Sequence, residues 1–169
     1  MTFPTPLALL GVNLLYVSFV LFIVALYLQE RVGPKETAAM CILTGGLSTS
    51  IALYTGFILG DVAGMGGSLL FGFTYLYLAF NILTGADTRS GIGHYALAVS
   101  LTTLFFIAQS VADGDLLFVF LWALWGQLWF CFYLLNALQR PIVRFVAWNT
   151  HLVAFVNFLA AIVFMFGWL

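Results

Sequence analysis

Apolar residues run along this chain in six long blocks, broken at short intervals by glycine, proline and charge. The blocks fall at roughly 7–28, 37–59, 67–84, 92–112, 115–138 and 142–168, each near the ~20 residues a helix needs to cross a bilayer. Almost nothing is left between them, so the pattern predicts an all-α integral membrane protein in which residues 1–169 form a single domain of six transmembrane helices. The first block has no basic stretch before it and is expected to be a retained span, not a cleaved leader.

Within the blocks the polar positions are sparse and the aromatic ones are patterned. Residues 116–132 read LLFVFLWALWGQLWFCF. Spacings of three and then four put Trp122, Trp125 and Trp129 on one helical face, with Phe118 and Tyr133 extending the stripe. Tryptophan usually gathers at the membrane–water interfaces. A ladder through mid-depth therefore suggests either a lined pathway or an aromatic seam between helices. In the third block Phe73 and Tyr77 are four apart, with Phe80 and Asn81 a turn further on, while Phe71 and Tyr75 point to another face. In the first, Leu10, Leu14, Val17 and Leu21 form a stripe of helical period. Taken singly, each stripe is more often bundle packing than pore wall; together they favour a pore.

Composition narrows the class. With 64% hydrophobic residues, 7% charged residues and mean hydropathy +1.13, a water-soluble globule is excluded. A net charge of -1 offers no basic surface for nucleic acid. Cys41 and Cys131 sit in different apolar blocks and read as small apolar residues.

Charge sets the orientation. Arg31, Lys35, Arg89, Arg140 and Arg144 fall at the first, third and fifth connections, whereas the second and fourth hold Asp61, Asp113 and Asp115. The positive-inside rule places the basic connections in the cytoplasm, so both termini lie outside and the chain forms three hairpins. Tight turns are expected at Gly33-Pro34 and Arg140-Pro141.

No Lys, Arg, Asp or Glu falls at mid-bilayer, which disfavours proton-coupled and sodium-coupled transport. Neither a carboxylate pair nor a nucleophile–base set nor a metal cluster is evident, so the chain does not read as an enzyme and no cofactor is implied. The polar residues at depth are chiefly Asn13, Asn81, Gln109, Gln127, Asn136, Asn149 and Asn157. They serve either as interhelical hydrogen bonds or as donors and acceptors for a polar permeant. His94 is interfacial. His151, about nine residues into the sixth block, is open to three readings: a structural bond, a role in permeation, or haem ligation.

The segments LLFGFTYLYLAFN (69–81), TGGLS (44–48) and WALWGQLW (122–129), with Leu14–Tyr16, Val17, Pro141 and Trp148, resemble the urea/amide channels of the UreI/AmiS family, along nearly the whole chain. The resemblance implies a six-helix protomer with its own conduction path, in a homohexameric ring in the bacterial inner membrane. Such channels supply urea or short aliphatic amides to a cytoplasmic urease or amidase. Carried over by position, Leu14, Val17, Leu21, Phe73, Tyr77, Trp122, Trp125, Leu128 and Trp129 would line the constrictions. Acid-gated members have a long, histidine-bearing outer loop between the second and third helices. Here that connection is only about Gly60–Gly67, without histidine, and the acidic residue those members carry in the last helix is matched by Val153. An ungated amide-type channel is the expectation. The alternative is a small structural subunit of a membrane complex, in which the tryptophans merely pack and only lipid and protein are partners.

Overall fold

A computed structural model of the chain describes residues 5–85, 87 and 89–168. Six α-helices account for nearly all of them: α1 (Pro6–Leu28), α2 (Pro34–Phe57), α3 (Val62–Thr84), α4 (Arg89–Ala112), α5 (Leu116–Asn136) and α6 (Val143–Phe166). Each is long and apolar enough to cross a membrane, and the protein is a multi-pass membrane protein.

Caps, not hydropathy, decide where these helices begin. The Thr5 hydroxyl accepts from Ala8 N at 3.1 Å ahead of α1. Pro34 is the first residue of α2, and the Glu36 carboxylate accepts from Gly33 N at 2.8 Å. Asp61 and Asp115 cap α3 and α5, accepting from Gly64 N at 2.8 Å and Phe118 N at 3.0 Å. These side chains satisfy backbone donors that the first turn leaves without a helical partner. As a result α2 and α3 start three and five residues before their apolar blocks do, and α4 starts three before its own. The glycine-rich stretch 62–67, expected as loop, is helix, and the connection from α2 to α3 is only 58–61. Pro34 likewise opens a helix instead of forming a turn.

The helices pack as a ring in chain order, each against its neighbours, and α1 closes the ring against α6. Packing is not uniform around it. The extensive contacts are α2 with α3, α4 with α5, and α1 with α6, whereas α1/α2, α3/α4 and α5/α6 touch far less. The three expected hairpins are thus the loosely packed pairs; of the tight pairs, α2/α3 and α4/α5 are joined at the opposite end, and α1/α6 brings the first and last helices together. The reason is local: small residues let backbones close in where lipid supplies no hydrophobic drive. A Cβ on Gly45 would lie 2.9 Å from the Gly72 carbonyl oxygen across α2/α3, and one on Gly11 would lie 3.0 Å from the Ala161 carbonyl oxygen across α1/α6. Across α4/α5, the Ser100 hydroxyl donates to the Gly126 carbonyl at 2.8 Å.

Gly45→Val is therefore expected to lower stability by about 1–3 kcal/mol, because backbone as well as side chain must shift. Thermal unfolding in detergent measures it; melting at the wild-type temperature would refute close packing as the basis of the α2/α3 pair.

The connections 58–61 and 113–115, with Asp61, Asp113 and Asp115, lie at one end of the ring. Arg31, Lys35, Arg89, Arg140 and Arg144 lie at the other. These are the acidic and basic ends of the ring.

Candidate functional site: an axial constriction between two cavities

Three helices turn a stripe of period three to four toward the ring's interior: Leu14, Val17 and Leu21 from α1, Phe71, Tyr75 and Leu78 from α3, and Trp122, Trp125 and Trp129 from α5. Between them lies a series of cavities that share walls. The acidic-end cavity, about 270 Å³, is lined by Leu10, Asn13, Leu14, Val17, Asp61, Gly67, Phe71, Phe118, Trp122 and Trp125 among others. The basic-end cavity, about 100 Å³, is lined by Leu21, Tyr27, Thr74, Tyr75, Leu78, Trp129, Phe132 and Asn136 among others. Where the two approach, a void of about 10 Å³ is bounded by Leu14, Val17, Leu21, Phe71, Tyr75, Trp125, Leu128, Trp129 and Asn157. That volume holds about one water, so the axis is narrowed here to the scale of a single small molecule. Beyond the basic-end cavity, a wider mouth of about 470 Å³ is bounded by Tyr27, Asn81, Asp87, Arg89 and Asn136 among others.

The constriction is an aromatic box with one aliphatic wall. The Phe71 ring stacks at 6.1 Å from Trp122 and 6.0 Å from Trp129, and meets Trp125 edge-on at 5.3 Å. Trp122 and Trp125 are T-shaped at 4.8 Å, and Phe106 backs Trp122 at 4.2 Å. Offset and edge-on arrangements suit the ring quadrupoles and add to plain burial. Gly67 leaves room for the Trp122 ring, whose edge lies 2.8 Å from where a Cβ would stand.

Polar groups are few and individually placed. Trp125 Nε1–H donates to Asn157 Oδ1 at 2.8 Å, linking α5 to α6. The Ser48 hydroxyl donates to Asn13 Oδ1 at 2.6 Å, linking α2 to α1 at the acidic-end cavity. Trp129 Nε1, Asn157 Nδ2 and Asn81 Oδ1 are buried with no hydrogen-bond partner among the described residues. Asp61 is the one charged side chain among the described residues lining the two inner cavities and the constriction, and no histidine is among them. At the basic mouth, Arg89 Nε donates to Asp87 Oδ1 at 2.9 Å. The guanidinium holds the Asp87 carboxyl below its ordinary range, though a pair so exposed contributes little to stability.

Of the nine residues carried over from the family, the structure gathers Leu14, Val17, Leu21, Trp125, Leu128 and Trp129 at the constriction, and Trp122 beside it. Phe73 is not there. It is 48% exposed on the outer face of α3, and Phe71 occupies the interior. Tyr77 is half-buried on the flank of α3, its ring edge-on to Tyr95 at 6.3 Å, and lines none of the axial cavities. The α3 register is thus shifted by two residues from the expectation, to Phe71 and Tyr75. Asn157 also joins the site; an interhelical bond and a contact with a polar permeant were both open to it.

The remaining candidates settle elsewhere. Gln127 and Asn149 exchange two hydrogen bonds, at 3.2 and 3.1 Å, tying α5 to α6 away from the axis. Gln109 donates to Asp113 beside its own helix, whereas Asn136, which donates to the Phe132 carbonyl, stays in the wall of the basic-end cavity. His151 packs beside Phe22 and Trp148 at 5.2 and 5.8 Å, and lines none of the cavities described above. His94 bonds the Ser90 carbonyl at 2.8 Å.

Comparison with known proteins supplies context for this geometry. Residues 9–168 match the family model described as AmiS/UreI family transporter. A putative amidate substrates transporter protein of Mycolicibacterium smegmatis is 36% identical over 81% of this chain and 68% of its own. The acid-activated urea channel of Helicobacter pylori is 31% identical over 83% of this chain and 88% of its own. The cryoEM structure of the Helicobacter pylori urea channel in a closed state superposes with a TM-score of 0.83 at 30% identity, covering 95% of this chain and all of that one.

Proposed function

This chain belongs to the AmiS/UreI family of transporters, and from that premise we propose that it is a passive channel for small, uncharged, planar amides. The permeants are short aliphatic amides of the acetamide type, urea, or both. The carrying observation is the constriction: flat aromatic faces, a hydrocarbon wall and two unpaired N–H donors in a space of about one water, with a cavity on either side.

The chemistry follows from those parts. A planar amide entering the acidic-end cavity sheds water and slides its faces against Phe71 and the Trp ladder, while its carbonyl meets an N–H donor. Leu14, Val17, Leu21 and Leu128 offer nothing to replace the hydration shell of an ion, so charged solutes stop there. No charged group lines the constriction to couple flux to a proton or to sodium. Passage is downhill, and binding must be weak enough for release. The closed packing of the box implies that a side-chain movement of Trp125 or Phe71 admits each permeant.

The positive-inside rule puts the basic end in the cytoplasm, with both termini and the Asp61 cavity outside, in a bacterial inner membrane. Amides delivered there feed an amidase or urease. A homohexameric ring, as the family resemblance implies, would leave each protomer its own path. Bacterial cells expressing the chain should take up acetamide faster than controls, and collapsing the membrane potential and proton gradient should not slow it. Uptake abolished by the protonophore would reject passive conduction.

Acid gating is not expected. The connection 58–61 is four residues long and no histidine lines the described path. Acetamide flux into proteoliposomes should agree at pH 5 and pH 7.5 within about a factor of two, since no lining side chain has histidine's titration range.

A further inference from the structure

Asn157 sits on α6, fully buried, and its amide is oriented by a single contact. Trp125 Nε1–H donates to Oδ1 at 2.8 Å. An indole nitrogen is a donor only, so this bond settles which end of the Asn157 amide is oxygen. The Nδ2 group is left buried with no acceptor among the described residues. One turn along α5 from Trp125, Trp129 is 4% exposed, and its Nε1–H is also without a partner. Both residues line the same narrow void, whose other walls are aliphatic side chains and the rings of Phe71, Tyr75 and Trp125. Two stranded donors in one small apolar space are costly unless an acceptor visits them. A carbonyl oxygen has two lone pairs and can accept from both at once.

We infer that Asn157 Nδ2–H and Trp129 Nε1–H form a fork that binds the permeant's carbonyl oxygen at the constriction, with Trp125 holding the Asn157 amide in the donating orientation. This rests on the channel reading above and deepens it: Asn157 becomes a specificity-determining residue. Selection is then by the hydrogen-bond acceptor strength of the solute as well as by its size. The fork stabilises an amide at the narrowest point, where the solute has lost its water. A solute of the same shape with a poor acceptor gains no such compensation.

Acetamide and thioacetamide make the test, because sulfur in place of the carbonyl oxygen accepts hydrogen bonds weakly. Permeabilities of proteoliposomes to each are measured by stopped flow and corrected with empty vesicles. The wild type should favour acetamide. Trp129→Phe keeps a stacking ring and removes its N–H; Asn157→Leu keeps the branched outline, with bulkier methyls, and removes the amide. Each should cut the acetamide-to-thioacetamide ratio about tenfold, the loss of one hydrogen bond to a carbonyl. Trp125→Phe, which frees the Asn157 amide to turn over, should lower the ratio in the same direction. Trp129→Phe widens the box and Asn157→Leu does not, so widening cannot explain a fall in both. If Asn157→Leu does not insert, Asn157→Val, which also removes the amide without widening the box, takes its place. A ratio kept within about twofold in the inserted variants, with wild-type acetamide flux above empty vesicles, overturns the fork and leaves the channel standing. Wild-type flux no greater than empty vesicles overturns the channel reading and the fork with it.

Discussion

Phe71→Ala is expected to abolish size discrimination at the constriction, while Phe73→Ala leaves it intact. The Phe71 ring is buried against Trp122, Trp125 and Trp129, and its removal joins the ~10 Å³ void to the cavities on either side. Benzamide, planar but bulky, should then enter proteoliposomes nearly as fast as acetamide. Loss of a packed ring also costs about 3–5 kcal/mol, so Phe71→Ala should melt well below the wild type in detergent yet still insert. Phe73, on the outer face of α3, has no ring partner in the box, and its alanine variant should keep the acetamide-to-benzamide preference. Identical selectivity in the two variants would contradict the α3 register.

Trp125→Ala carries the second large effect. It removes a ring from the constriction and strands Asn157, whose Oδ1 loses its one donor. The consequences are of two kinds. The wider box admits larger amides, and the untethered amide no longer presents Nδ2 in a fixed direction. Discrimination of acetamide over benzamide should fall at least about tenfold, which corresponds to ~1.4 kcal/mol at the barrier. Tyr77→Ala, by contrast, should alter selectivity little, because Tyr77 contacts Tyr95 on the flank of α3. Wild-type selectivity in an inserted Trp125→Ala protein would remove Trp125 from the path.

Much of this was legible in the chain. Six apolar blocks gave six helices, and the Trp122/Trp125/Trp129 spacing gave the face that does turn inward. The α1 stripe of Leu10, Leu14, Val17 and Leu21 was equally plain. What failed on α3 failed for a physical reason. Phe73–Tyr77–Phe80 and Phe71–Tyr75–Leu78 are both aromatic-rich stripes of helical period, and in lipid the outer face of a helix is as apolar as the inner one. Periodicity then separates faces without saying which is inside. The usable signal was size, not polarity: Gly67, Gly72 and Ala79 lie among the buried residues of α3, and small residues mark the packed side.

The helix starts were missed for a related reason. Glycine and charge lower hydropathy, so Val62–Gly67 read as loop, although Asp61 caps a helix there and Gly67 makes room for Trp122. Asn157 was visible as a buried amide, but its role depends on a partner 32 residues away, and no spacing rule connects α5 to α6. The pairing of tight and loose helix contacts was hidden likewise, because it follows from backbone approach at Gly11 and Gly45 and not from loop position.

The most direct test of the central claim is stopped-flow permeability of proteoliposomes to acetamide and urea, against empty liposomes. Entry of acetamide, urea or both well above the lipid background, without an ion gradient, is the predicted result. Permeability equal to empty liposomes for both solutes, with the protein correctly inserted, would contradict it and leave the aromatic box as packing in a structural subunit.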